Sequence, residues 1–379
     1  MDKKFAQRFL KTLWLFGFIA LIDSSCRQSV PVTSSSTDSF PPKPEPESYV
    51  CYRTLSPVVV DGVLNEDAWN KVPWTNDFRD IEGSVKPLPW YKTRAKVLWD
   101  DKYVYFAAEL EDPHVWAKLK QRDTIIFIDN DFEIFIDPDG DTHAYYELEV
   151  NALGTPWDLL LLKPYRDGGK AVFGWDIAGL KVGTKVNGTL NNPSDEDTGW
   201  TVEIAIPFIS LRESIAGGRL PMPGDQWRLG FSRVEWKTHV ENGAYMKDIN
   251  PATGRPFPEE NWVWSPQGRI NMHMPEMWGY LQFSGIMAGE GTEEFRPDPE
   301  FSLKWALRLI YYAENDYYSK NGKFSESLGD LGLTIKDFPE GFSEPVIQTT
   351  RTTFEGYFQG MDNLTIYQDG KLARKVDAE

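Results

Sequence analysis

The chain has 379 residues, a net charge of −17 and 14 % aromatic residues, 15 of them Trp. That length leaves room for two or three domains of about 100–200 residues each. The charge argues against nucleic acid, which needs a basic footprint. Two distant cysteines, Cys26 and Cys51, make neither a disulfide framework nor a zinc site of about four clustered ligands. The four histidines show no metalloprotease spacing, and the chain carries no nucleophile elbow, Walker loop or dinucleotide fingerprint.

Residues 1–25 read as a secretory signal. Lys3, Lys4, Arg8 and Lys11 precede an apolar run from Leu13 to Ile22, too short for the roughly 20 residues a membrane span needs. Ser24 and Ser25 before Cys26 are similar to a bacterial lipoprotein cleavage box, with Asp23 departing from it, so Cys26 is the expected site of lipidation. Residues 26–47 add a Ser/Pro-rich tether without apolar periodicity. An exported protein, held by lipid in the outer membrane or cell envelope, is the expectation.

Residues 48–286 alternate in short runs separated by turn signals, which predicts an antiparallel β-sandwich. "TRAKVLWDDKYVYFAAEL" is one hairpin, turning at Asp100-Asp101, and "DFEIFIDPDGDTHAYYELEVN" is a second. From about residue 290 the character changes. Apolar residues between Phe301 and Tyr312 fall at helical spacing, with Pro299 before them and Gly322 after. Two strands and a turn follow. Residues 290–379 therefore predict a small α+β appendage, a candidate site for a protein partner.

The second hairpin is the most informative stretch. Side-chain parity puts Phe132, Ile134 and Ile136 on one face and Asp131, Glu133 and Phe135 on the other. The return strand puts Tyr146, Leu148 and Val150 against Tyr145, Glu147, Glu149 and Asn151. With "DPDGD" as the turn, Glu133 falls opposite or diagonal to Glu147 and Glu149, and such like-charge pairs cost up to about 1 kcal/mol. Compensation could come from Arg94, Lys96 or Arg233, from a structural calcium ion, or from sugar hydroxyls. A carboxylate pair for glycoside hydrolysis and a plain solvated strand face are the other readings. Asp137, Asp139 and Asp141 suit a turn better than an EF-hand loop, because Gly140 comes too early and no Glu closes it.

In order along the chain, "PVVVDGVLNEDAW", "AKVLWDDKYVYFAAELEDP", "DFEIFIDPDGD", "YYELEVN", "GWTVEIAIP" and "VWSPQGRINMHMPEMWGYLQF" resemble the family-9 carbohydrate-binding modules and the wider family-9-like group. The resemblance covers residues 50–285 and implies a β-sandwich that binds the ends of oligo- or polysaccharides without cleaving them. It implies that Glu133 and Asn151 contact sugar. It places Glu149 where the family has an arginine, Phe127 where it has one clamping Trp, and Met272 near the other. Trp157, Trp262 or Trp264 could supply the missing stacking. The expected contact set is therefore Glu133, Glu149, Asn151, Arg233, Trp157, Trp264 and Phe127, with no catalytic or metal-ligating residue assigned. Trp69, Trp99 and Trp200 read as core. A scaffold that binds protein through its appendage and a glycoside hydrolase remain alternatives.

Overall fold

The computed structural model describes residue 41 and residues 43–361 and 363–374. The signal segment, Cys26 and most of the tether lie outside the described residues. No helix among those described is long and apolar enough to cross a membrane.

The sandwich strands, in chain order, are β1 (Ser48–Arg53), β2 (Thr93–Trp99), β3 (Tyr103–Leu110), β4 (Asp131–Asp137), β5 (Tyr145–Asn151), β6 (Pro156–Leu161), β7 (Lys181–Asn187), β8 (Gly199–Pro207), β9 (Gln226–Glu235), β10 (Glu260–Val263) and β11 (Gly279–Met287). They belong to one 13-stranded sheet in the spatial order β6-β5-β4-β9-β11-β1-β2-β3-β8-β7, with β10 added beside β9. Its pairings are antiparallel except at β1, which runs parallel to both neighbours. The predicted β-sandwich is borne out: the sheet wraps round so that both halves turn one face inward.

Period-2 alternation builds that interior. Phe132, Ile134 and Ile136 of β4 and Leu148 and Val150 of β5 meet Phe106 and Ala108 of β3 and Val202 and Ile204 of β8 in one core. The Phe106 and Phe231 rings cross edge to face at 5.8 Å, a favoured aromatic geometry. Trp99 and Trp200 are buried here, and Trp69 in a satellite cluster, as expected. At the first hairpin Asp100 accepts the backbone N–H groups of Lys102 and Tyr103 at 2.7 and 2.8 Å, so its side chain closes the turn.

The appendage follows. Helix α1 (Phe301–Asn321) buries Leu303, Ala306, Leu307, Ile310 and Ala313, a stripe at three- and four-residue spacing. It ends at Gly322, whose φ of 67° is the left-handed cap that glycine adopts without strain. Its apolar stripe lies on a four-stranded antiparallel sheet, β12 (Val346–Thr349), β13 (Phe354–Tyr357), β14 (Leu364–Tyr367) and β15 (Leu372–Arg374). The sequence pattern had suggested two strands. All four are only three or four residues long, too short for alternation to separate them.

Candidate functional site

The outer face of β4-β5-β6 carries the site. Its register puts Glu133 directly opposite Glu149, Asp131 opposite Asn151, and Glu149 opposite Trp157. Glu147 pairs with Phe135, one step along the same face, and so lies diagonal to Glu133. Ser232 of β9 stands opposite Glu133 from the other side.

This face is not solvated, contrary to the plainest reading of its sequence. Asp131 is 0 % exposed, Glu149 1 %, and Glu133 and Glu147 5 % each. Phe135, Tyr145, Trp157, Leu159 and Trp278 form an apolar cluster on the same side of the sheet as the acids. Between the acids and this cluster lies a cavity of about 220 Å³, lined by Glu133, Glu147, Glu149, Phe127, Trp157 and Tyr165, with Glu259, Met272 and His273 at its rim. Trp157 lies nearly parallel to Phe173, with planes 11° apart and centroids at 6.1 Å.

Burial disfavours the charged form of a carboxylate. Burial raises Glu133 to about 7, and Glu259 adds to the rise against a lowering contact from Ser232. Burial likewise pushes Asp131, Glu147 and Glu149 well up, each helped by the neighbouring acids. Glu149 Oε2 is anchored by the Phe127 N–H at 2.8 Å, because the single 3-10 turn Ile126–Ile128 points that N–H at it. Asp131 Oδ2, Glu133 Oε2, Glu147 Oε2 and Ser232 Oγ find no hydrogen-bond partner among the described residues.

None of the expected counter-charges reaches these acids. Arg94 pairs with Glu109 on the surface at 2.6 Å. Lys96 donates to the Trp69 carbonyl. Arg233 points to the opposite face of its strand, where it pairs with Glu235 at 2.7 Å and donates to Thr93 and the Glu111 carbonyl. Its place in the contact set is therefore corrected, and parity is the reason: Arg233 pairs with Phe132, a core-facing residue.

Two further members of that set also stand apart. Asn151 spends its amide on the chain itself. Its Nδ2 donates to Leu119 O and Asp129 Oδ2 at 2.8 and 3.1 Å, and its Oδ1 accepts from Leu153 and Thr155, both at 3.1 Å. That fills its donor and acceptor capacity. Trp264 is 2 % exposed in the inner core, against Phe231 and over Gly279, so it cannot meet a ligand. Trp262 is also core. Glu133, Glu149, Trp157 and Phe127 do converge on one cavity. Glu147, Tyr165 and His273 join them without having been picked out, and Asp131 and Ser232 stand beside Glu133 on the same strand face. Parity had already placed Asp131 and Glu147 on the right face, and alternation along "FSRVEW" would have placed Ser232 there.

The rim is pinned from the appendage. Arg166 donates to Glu276 at 3.0 Å, to the Tyr311 hydroxyl at 3.0 Å and to the His273 carbonyl at 3.3 Å, while Tyr312 donates to Glu276. Burial works to raise Glu276, but Arg166, Arg308 and the Tyr312 hydroxyl outweigh it and hold the carboxyl at about 2. Burial, then Arg166, lowers His273 to about 4, so its ring is neutral where its Nδ1 meets the Tyr145 hydroxyl at 2.9 Å.

The family model for the carbohydrate family 9 binding domain-like group matches residues 60–283, more than half of the chain and all the strands that build this site. The chain belongs to that family. Among curated relatives, the family-9-like module is 28 % identical over 153 residues to "Exoglucanase XynX" of Acetivibrio thermocellus, covering 40 % of this chain and 12 % of the enzyme. It is 27 % identical over 156 residues to "Endo-1,4-beta-xylanase A" of Thermoanaerobacterium saccharolyticum, covering 41 % of this chain and 11 % of that enzyme. The match thus spans only about a tenth of either enzyme's length. Among solved structures, a family 9 carbohydrate-binding module of Caldicellulosiruptor kristjanssonii in complex with cellotriose is similar at 18 % identity and a TM-score of 0.38, over 66 % of this chain and all of that one.

Proposed function

We propose that the module binds the end of an oligo- or polysaccharide chain in the cavity over β4-β5-β6, without cleaving it. The observation that carries this is the row of buried carboxylate oxygens lacking protein donors beside the Trp157 ring. Sugar hydroxyls are donors in need of acceptors, and the apolar face of a pyranose suits an aromatic wall; a few convergent polar groups on an apolar lining make a small-molecule site. Glycosidases divide two carboxyls into an acid and an ionised partner by pushing their pKa values apart. Here burial pushes all four acids the same way, which favours binding over hydrolysis.

The family-9-like relatives include an enzyme named for glucan and one named for xylan, which supports a role in polysaccharide breakdown and makes β-glucan and xylan fragments the first ligands to try. An exported protein, held by lipid at Cys26 on a tether, would present the pocket to glycans at the cell envelope. The test is calorimetric titration with cello- and xylo-oligosaccharides. Binding should weaken roughly tenfold or more on Trp157→Ala, the usual scale for removing an aromatic anchor. Absence of binding across a broad glycan panel refutes the reading.

A further inference from the structure

Among the described residues, three sets of acids have carboxylate oxygens within 4.8 Å of one another: Asp123, Asp158 and Asp176; Asp137, Asp139 and Asp141; and Asp131, Glu133 and Glu149. That separation is the span available around a calcium ion, whose oxygen ligands sit at about 2.3–2.6 Å. The first set already holds a cation, since Arg122 reaches Asp158 at 2.5 Å and Asp176 at 3.4 Å. The second has Lys371 on Asp141 at 3.2 Å, and both oxygens of Asp137 accept N–H groups of the turn. The third set has no lysine or arginine within ion-pair reach among the described residues; one oxygen of Glu149 and one of Asp131 accept a backbone N–H, while Asp131 Oδ2 and Glu133 Oε2 have no partner, and Glu133 and Glu149 line the glycan cavity.

The groups facing it are Glu147 on β5, Trp157 on β6, Ser232 and Val234 on β9, and Glu259, Asn261 and His273 at the rim. No lysine or arginine lines the cavity. Ser232 is a separate pointer to a ligand: it is fully buried, is no acid and faces Glu133 in register, and beyond a loose contact with that carboxyl its Oγ makes no well-formed hydrogen bond among the described residues. A serine hydroxyl and three carboxylates form an all-oxygen donor set of the kind hard cations take.

We propose that Asp131, Glu133 and Glu149, with the Ser232 hydroxyl, hold one calcium ion at the floor of the cavity, and that the glycan binds by placing hydroxyl oxygens in the ion's remaining positions. Calcium takes six to eight oxygens, so positions are left on the cavity side for a vicinal diol. The ion would give Asp131, Glu133 and Glu149 the counter-charge that no lysine or arginine of the cavity lining supplies. The glycan half of the proposal rests on the function proposed above; the ion site does not.

The test uses the full chain, stripped with EDTA and dialysed. Calcium is titrated calorimetrically and by thermal unfolding, and oligosaccharide retention is measured in calcium and in EDTA. The expected results are saturable calcium binding, a rise in unfolding temperature, and loss of oligosaccharide retention in EDTA that calcium restores. Glu149→Gln and Asp131→Asn should each weaken calcium roughly tenfold or more by removing a charged ligand, whereas Asp139→Asn should not. Circular dichroism shows whether each variant folds, and the wild-type titration reads the site even if one does not. Absence of calcium binding, or binding unchanged in both ligand variants, overturns the proposal. Oligosaccharide retention that is equal in EDTA overturns it and leaves the glycan reading intact. Calcium binding with no glycan retained in either buffer removes the glycan reading and leaves the ion site standing on the titration.

Discussion

Replacing Glu133 by Gln should stabilise the protein when metal is withheld, and more so as the pH rises. Glu133 is 5 % exposed, and burial lifts its carboxyl to about 7 from an ordinary value of 4.5. Between those values the unfolded chain has released the proton and the folded chain has kept it, so raising the pH favours unfolding. Stability that is fully present below about pH 4.5 is lost as the pH climbs to about 7, and the deficit is then constant. At about 1.4 kcal/mol per pKa unit, the wild-type penalty from this group is of order 1 kcal/mol at pH 5 and of order 3 kcal/mol at pH 8. Glutamine has the same shape and no charge to desolvate, so Glu133→Gln should recover most of that difference. Urea unfolding in EDTA at pH 5 and pH 8 measures it: the gain should be small at the lower pH and of order 2–3 kcal/mol at the higher. A variant that is equally stable to wild type at both, or destabilised by the same amount at both, refutes the claim that an uncompensated charge is buried there. Saturating calcium should reverse the order, since the wild type then binds its counter-charge and the variant has lost a ligand.

Other perturbations probe the supports of the site. Trp264→Ala empties a core position and should cost about 3–5 kcal/mol in a urea titration. Gly279→Ala puts a Cβ 2.6 Å from the Trp264 ring and 2.9 Å from the Glu47 carbonyl, so it should cost about 1–3 kcal/mol by overpacking. Arg166→Met strands the Glu276 carboxylate in the interior and should cost about 3–5 kcal/mol at neutral pH. Because Glu276 is held at about 2 against an ordinary 4.5, its contribution is present above pH 4.5 and is lost as the pH falls towards 2; acid titrations of wild type and Arg166→Met should converge across that window. Gly322→Ala meets open space but keeps the left-handed cap, so thermal unfolding should show a loss of about 1 kcal/mol from strain alone.

Much of this was legible in the sequence, and what was not has a physical pattern. Strand parity and the Asp137–Asp141 turn were enough to put Glu133 on one face with Glu147 and Glu149, opposite or diagonal to them, because a one-residue slip would have turned Ile134 and Leu148 outward; the structure makes Glu149 the direct partner. Parity names a face without saying what covers it. The cover here is Trp278, Met272 and His273, more than a hundred residues along the chain from β5, so an acidic strand face read as solvated when it is buried. The two aromatic candidates illustrate the same limit. Trp157 and Trp264 both lie beside turn residues, yet Trp157 pairs with Glu149 on the outer face while Trp264 sits under Gly279 in the inner core. Asn151 kept its place at the end of β5 but serves the 119–130 loop, whose path no local pattern reveals.

The joint between sandwich and appendage gives the appendage a part in the site. Met274 and Met277, on the rim loop, pack against Trp305 of α1, and Tyr311 and Tyr312 of the same helix hold Arg166 and Glu276. Trp278 donates its indole N–H to the Met272 carbonyl at 3.0 Å, which ties the cavity wall to that loop. The chain of contact is therefore helix, rim, wall, with an apolar core and a buried ion pair at the first junction. A rearrangement of α1 must either strip the Tyr311 and Tyr312 hydroxyls from the buried Arg166–Glu276 pair or carry the rim with it. The helix therefore supports the cavity at one remove: none of its residues lines the cavity, but Trp305, Tyr311 and Tyr312 hold the loop that carries Met272 and His273.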